Sequence, residues 1–95
     1  MSKKRQAFYN DFIRFKRDVG FSFRLLRRAA GKTAQEVQEA LDLRTNNGVQ
    51  KIEQGYFDCI FPLLKMCRYY GKRPVIKFIN LTREENALFN REENA

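Results

Sequence analysis

Polar side chains that can hydrogen-bond to nucleobases cluster just before residue 51. Asn46, Asn47 and Gln50 each carry a side-chain amide, which offers a donor and an acceptor side by side. That arrangement matches the major-groove edge of adenine. Thr45 adds a hydroxyl group next to the amides. The sequence therefore offers Thr45, Asn46, Asn47 and Gln50 as candidate base contacts.

Each of these residue types also has a purely structural use. Asn is a common helix N-cap, and for Asn46 capping is as good an explanation as base contact. Gln50 differs, because it lies inside a predicted helix and off the apolar stripe formed by Val49 and Ile52. For Gln50 the pattern favours contact with a groove.

Two short helices joined by a tight corner are predicted at residues 33–55. Val37 and Leu41 lie four apart, and Val49 and Ile52 lie three apart, so each pair forms an apolar stripe on one helix face. The RTNNG run between the stripes is typical of turns and helix caps. Two amphipathic helices around a short turn, in a basic chain, suggest a reader of the DNA major groove.

Further helices are predicted on both sides of this pair. Apolar residues at helical spacing predict a helix over 6–30, either continuous or broken near residues 20–22. Thr33 and Glu36 have the spacing of a capping box, which fixes the start of the next helix. That helix is expected to end near Asp42, in a left-handed conformation that Asp tolerates. Another helix is predicted over 59–70, with Pro62 in its first turn.

The segment 73–80 has the β-branched and aromatic composition of a strand. Nothing else in the chain resembles a strand, so its partner is expected to come from a second copy of the chain. An extended tail packed on the helices is the alternative. The candidate dimerisation residues are Val75, Ile76, Phe78 and Ile79.

The net charge of +8 is unevenly distributed. Residues 1–30 contain nine Lys or Arg and two Asp, whereas residues 81–95 contain two basic and four acidic residues. A basic body favours a polyanionic partner. We expect one domain over 1–80, followed by an acidic tail over 81–95 that is either a short helix or disordered.

Phosphate contacts are expected from basic side chains around the predicted helix pair and from backbone amides at the start of its first helix. For any single basic residue, simple exposure to solvent explains its presence equally well. Residues 3–5 are expected to form a mobile basic arm. The candidate phosphate contacts are Arg27, Arg28, Lys32, Ala34, Gln35, Arg44 and Lys51.

The composition also argues against several functions. Histidine is absent, which removes the commonest general base and metal ligand. Cys59 and Cys67 belong to no zinc-ligand cluster and fit a reducing cytoplasm. No run is apolar and long enough for a signal peptide or a membrane span. We expect a cytoplasmic protein that is not an enzyme, with no cofactor, no metal and no membrane partner.

The chain resembles the lambda-repressor-like helix-turn-helix family of phage repressors and antitoxins. The resemblance covers about residues 19–71, and the KIEQG run at 51–55 is its most characteristic part. A helix that ends in glycine before an apolar strand looks like the antitoxin branch, where that strand builds the dimer. The matching positions are Val19, Gly20, Phe23, Arg24, Leu26, Arg27, Gly31, Lys32, Thr33, Glu36, Val37, Leu41, Leu43, Val49, Lys51, Ile52, Glu53, Gly55, Leu63, Leu64, Lys65 and Gly71.

The chain departs from the family pattern at three places. Gln38 stands where the family usually has a small residue, because the two helices touch there. Asp42 stands where glycine is usual. The turn between Leu43 and Val49 is one residue longer than usual, which places Gly48 at the start of the third helix.

The expected fold is all-α, with four to five helices, a central helix-turn-helix and one C-terminal strand that pairs across a dimer. The expected function is that of a sequence-specific double-stranded DNA-binding transcriptional regulator, a repressor, which acts as a homodimer on a palindromic site. The alternative is an antitoxin or other protein-interaction module, which binds a toxin or another protein through its C-terminal tail and in which DNA binding is secondary or lost. Binding of RNA or an acidic membrane by charge alone is a weaker option.

Overall fold

The computed structural model describes residues 2–43 and 47–87. The described chain is all-helical, as predicted. It contains α1 (Lys3–Ala29), α2 (Ala34–Leu41), α3 (Gly48–Glu53) and α4 (Phe61–Tyr69), with a further short helical stretch at 83–87. Three predicted contact residues lie outside the described residues, namely Arg44, Thr45 and Asn46.

The first helix is continuous, so the alternative of a break near residues 20–22 is wrong. The Ser2 hydroxyl caps it by accepting from the Arg5 amide at 3.1 Å. Residues 3–5 therefore form its first turn and not a mobile arm. Gly20 has a packing role, since a Cβ at this position would lie 2.4 Å from the carbonyl oxygen of Ile52. The missing side chain lets α1 and α3 approach closely.

The start and end of α2 are formed as the sequence predicts. The Glu36 amide donates to the Thr33 hydroxyl and the Thr33 amide donates to the Glu36 carboxylate, both at 3.1 Å. These bonds lower the pKa of Glu36. Asp42 ends the helix in a left-handed conformation with φ of 50°. Both predictions are confirmed, because they depend on interactions between residues close in sequence.

The helices pack around one small core. The predicted apolar stripes of α2 and α3 meet there, and α4 adds its inward face, with Pro62 in its first turn as expected. Since α4 begins at Phe61, the predicted start at residue 59 is two residues early. The buried apolar side chains are Phe23, Val37, Val49, Ile52, Leu63, Met66 and Cys67.

The predicted strand over 73–80 is not present in the described chain. Residues 73–80 lie in no helix or strand, and among the described residues their backbone groups pair with no other backbone group. A lone strand has no ladder partner within one copy, which is the physical reason. Its apolar side chains are exposed, most of all Phe78 at 90%.

A second capping box, with the same residue types and spacing as Thr33 and Glu36, is present at Thr82 and Glu85. The Glu85 amide donates to the Thr82 hydroxyl at 3.2 Å, and the Thr82 amide donates to the Glu85 carboxylate at 2.9 Å. Glu85 also accepts from Arg14 of α1 at 2.9 Å. The start of the acidic tail is therefore helical and is tied to the N-terminal half of α1.

Candidate nucleic-acid interface

The outward face of α3 is a continuous polar stripe. Asn47, Gln50, Lys51 and Gln54 are all exposed, at spacings of three, four and seven residues along one helix face. The opposite face is buried in the core. Two predicted base contacts, Asn47 and Gln50, therefore point outward, and Gln54 joins them. Gln54 was not predicted, although its position four residues after Gln50 would have placed it on this face.

Asn47 is at the N-cap position of α3, but its side chain does not cap the helix. The residue is left-handed, with φ of 56° and ψ of 33°, and makes no side-chain capping bond within the described residues. A capping side chain normally belongs to a residue in the extended region. The structural explanation of this asparagine as a cap therefore does not apply, and its amide faces solvent.

The corner between α2 and α3 is held by Gln38. Its side-chain Nε2 donates to the Leu43 carbonyl at 2.8 Å, and its Oε1 accepts from the Val49 amide at 3.0 Å. Gly48 fits beside it, since a Cβ there would lie 3.2 Å from Oε1 of Gln38. A small residue at position 38 could not make these bonds. Gln38, which departs from the family pattern, therefore links the two ends of the corner through its side-chain amide.

Arg27, predicted on phosphate, instead forms an internal ion pair. Its Nε and Nη2 donate to the two carboxylate oxygens of Glu53, at 2.7 and 3.1 Å, and its Nη1 donates to the Lys32 carbonyl at 2.9 Å. The hydrogen bond to Glu53 raises the pKa of Arg27. The Arg27 side chain is only 17% exposed, and these contacts use its hydrogen-bond donors. The predicted phosphate contact at Arg27 therefore conflicts with the structure, because the guanidinium already donates to Glu53 and Lys32.

Glu53 is buried, although carboxylate side chains are almost never fully buried unless they are paired. It is 5% exposed, and Arg24 Nε lies 3.6 Å from its Oε1 in addition to the Arg27 contacts. Burial raises the pKa of the nearby Tyr70 to about 12, and the negative charge of Glu53 adds to that shift. Within the described residues the buried Tyr70 hydroxyl has no hydrogen-bond partner. Arg24 and Arg27 of α1 and Glu53 of α3 form a charged cluster that holds the two helices together.

The remaining described phosphate candidates lie on the surface or in an open helix end. The side chains of Arg28, Lys32 and Lys51 are exposed. The amides of Ala34 and Gln35 belong to the first turn of α2, where amides have no partner within the helix. The Gln35 side chain is occupied locally, since its Nε2 donates to Glu39 at 2.9 Å.

A second surface of the molecule is apolar. Residues 74–77 form one wall of an open groove of about 470 Å3, and Phe12 and Phe15 of α1 form another. The predicted dimerisation residues Val75 and Ile76 line this groove, and Phe78 and Ile79 follow it as largely exposed side chains. The aromatic face of α1 is exposed beside it, including Phe8 and Tyr9.

The comparisons with known proteins add no relative. No family model, no curated protein and no solved structure matches this chain. The resemblance to helix-turn-helix repressors stays a prediction from the residue pattern.

Within residues 2–43 and 47–87, no helix combines the length and apolar character needed to cross a bilayer. The same part of the chain holds no group of three His, Cys, Asp or Glu side chains placed to bind a metal ion.

Proposed function

We propose that this protein is a sequence-specific double-stranded DNA-binding regulator of the helix-turn-helix type, acting as a homodimeric repressor. One observation carries the proposal. The outward face of α3 presents Asn47, Gln50 and Gln54 to solvent together with Lys51, on a helix whose other face is fixed in the core. Amides and a cation on a rigid helix are suited to reading base edges in a major groove.

The length of α3 sets what one copy can read. A helix of six residues is about 9 Å long, which corresponds to the rise of roughly three base pairs. Three base pairs do not define a site in a genome. Two copies with their α3 helices in successive grooves, about 34 Å apart, would read a palindrome of useful length. Repression follows from occupancy of a promoter.

Basic side chains near α3 and α2 would position the protein on the backbone. Arg28, Lys32 and Lys51 are exposed and can reach phosphate, and the first amides of α2 can add an uncharged contact. Such contacts orient a protein without reading sequence. In this proposal they set the register, and the amides of α3 supply the specificity.

The test is selection of random duplexes by the purified protein. We expect an inverted-repeat consensus, and an affinity that falls with log salt at a slope of about −5 if roughly six phosphates are neutralised. Gln50→Ala should relax the preference at one position and cost about 1–3 kcal/mol there. Lys51→Ala should weaken binding to all duplexes alike.

Gln6→Ala is a matched control, because Gln6 is an exposed glutamine on α1 whose side chain bonds only to Asn10 in the described contacts. It should leave the consensus and the affinity unchanged. A selection that returns no consensus, with Gln50→Ala silent, would contradict sequence-specific binding.

A protein-binding module, such as an antitoxin, is the second candidate. The observation that favours it is the exposed apolar surface formed by α1 and residues 75–81, since monomeric soluble proteins rarely leave such patches open. The acidic tail over 81–95 is the segment expected to bind a toxin. Deleting residues 82–95 separates the two functions. If a partner is lost while DNA binding stays intact, the tail is assigned to protein contact.

A further inference from the structure

We propose that Gln38 is the positioning residue of the DNA interface, because its side chain caps α3 in place of Asn47 and so leaves the Asn47 amide available for a base. The contact of Asn47 with a base rests on the proposed function. The capping of α3 by Gln38 rests on the geometry of the corner alone. The two parts can therefore fail separately.

The amides at the start of α3 need hydrogen-bond acceptors from outside the helix. The first amides of any helix lack intrahelical acceptors, and the N-cap side chain normally accepts from the second or third of them. In α3 the second residue is Val49, and its amide donates at 3.0 Å to Gln38 of the preceding helix. Gln38 thus performs the task that Asn47, at the N-cap, would otherwise perform.

The side-chain amide of Gln38 bonds to both sides of the corner. Gln38 Nε2 donates to the Leu43 carbonyl at 2.8 Å, before the turn, while Oε1 accepts from Val49, after it. One planar amide therefore spans the corner and fixes the separation of its two ends. This bond pair sets the direction in which α3 leaves the turn, and hence where its outward face points.

The backbone conformation of Asn47 also differs from that of a residue whose side chain caps a helix. Its left-handed conformation, with φ of 56°, differs from the extended conformation of a side-chain-capping residue. Asn is one of the few residues with a side chain that adopts this conformation readily. Asn47 therefore combines a tolerated backbone geometry with an amide directed to solvent. Glycine would satisfy the backbone equally well but would carry no amide.

The experiment compares Gln38→Met with Gln35→Met. Both changes replace a glutamine of α2 by an unbranched apolar side chain, but Gln35 is exposed and bonds only within its own helix. Amide hydrogen exchange is measured at Val49, with Lys51 as the internal reference because its amide bonds to the Asn47 carbonyl at 2.9 Å. In Gln38→Met, Val49 exchange should accelerate on the order of tenfold relative to Lys51. In Gln35→Met the ratio should not change.

The DNA arm uses the duplex selected by the wild-type protein and a random duplex of equal length. Gln38→Met should reduce the preference for the selected duplex by on the order of tenfold, with binding to random DNA within about twofold of wild type. Asn47→Gly should give the same loss of preference while Val49 exchange stays at the wild-type rate. That pattern assigns positioning to Gln38 and base contact to Asn47.

Each other outcome has a fixed meaning. Unchanged Val49 exchange in Gln38→Met overturns the capping role. Accelerated exchange with an intact preference makes Gln38 structural only and also overturns the proposal. A wild-type protein without any preference defeats the proposed function, and the exchange result then still decides the capping role. If Gln38→Met does not fold, Gln38→Glu replaces it. Its carboxylate keeps the acceptor for Val49 and lacks the donor for Leu43, so preference should fall while Val49 stays protected.

Discussion

At the scale of single residues, Glu53 is a buried charge that links two helices through its ion pair with Arg27. A carboxylate that is 5% exposed is stable only because Arg27 offers it two hydrogen bonds and Arg24 lies nearby. Removing one partner of a buried pair leaves a charge without compensation, whereas replacing both by apolar groups avoids that penalty. The pair joins α1 to the end of α3, so it also fixes the proposed recognition helix.

We expect Glu53→Gln to lower the free energy of unfolding by about 3 kcal/mol, because Arg27 then keeps a partly buried charge without a counter-ion. Arg27→Met should cost a similar amount. The double variant Arg27→Met with Glu53→Leu should recover more than half of the summed losses. Urea denaturation followed by circular dichroism measures all three. A loss below about 0.5 kcal/mol for each single variant would show that the pair contributes as little as a surface ion pair.

At the scale of elements, the contact of α1 with α3 depends on a glycine. A Cβ at Gly20 would lie within 3 Å of two backbone carbonyl oxygens, those of Ile52 and Glu53. Backbone atoms cannot rotate away as a flexible side chain can, so the helices would have to separate. The outward stripe of α3 would then turn relative to α1.

Gly20→Ala should therefore destabilise the protein by about 2 kcal/mol, although alanine in a helix is favoured over glycine by roughly 1 kcal/mol. Ser22→Ala is the control, because Ser22 is exposed on the same helix and donates only to the Asp18 carbonyl. It should change stability by less than about 0.5 kcal/mol. Thermal denaturation distinguishes them. An alanine at position 20 that stabilises the protein would contradict the close approach of α1 and α3.

At the scale of the whole molecule, the apolar side chains left in solvent need an explanation. Residues 75–81 carry five large apolar side chains that are more than half exposed, and the aromatic residues of α1 lie beside their first part. A second copy of the chain offers the same surface and an unpaired backbone, as a two-fold interface requires. Pairing of the 73–80 segments would place two copies side by side, as the reading of a palindrome needs.

We expect Phe78→Lys, or Ile76→Lys, to produce monomers in sedimentation equilibrium. Each dimer would carry the new charge twice in an apolar interface, and the loss of buried area alone costs about 3 kcal/mol or more, on the order of a hundredfold in the dissociation constant. Asn80→Lys adds the same charge at an exposed polar position of the same segment and should leave the dimer intact. A dimer that survives both apolar substitutions would refute the role of this segment.

The sequence by itself determined those features in which a residue interacts with neighbours three or four positions away. The capping boxes at Thr33 and Thr82, the left-handed Asp42 and the position of Pro62 are of this kind. The spacing of apolar residues also predicted the four helices and most of the core. The outward position of Gln50 followed from the same periodicity, since it lies off the apolar stripe of α3.

Only the tertiary structure decided the contacts between residues far apart in the chain. The sequence allowed Arg27 to contact phosphate. The fold instead places it against Glu53, which is 26 residues later in the chain. The sequence suggested a helix break near Gly20 and showed Gln38 as a departure from the family pattern. In the structure Gly20 packs against α3, and Gln38 accepts a hydrogen bond from the Val49 amide. These contacts depend on the angles between helices, and no local pattern of residue types encodes those angles. Composition likewise predicted a strand at 73–80, but no other described segment pairs with its backbone, and the structure shows none there.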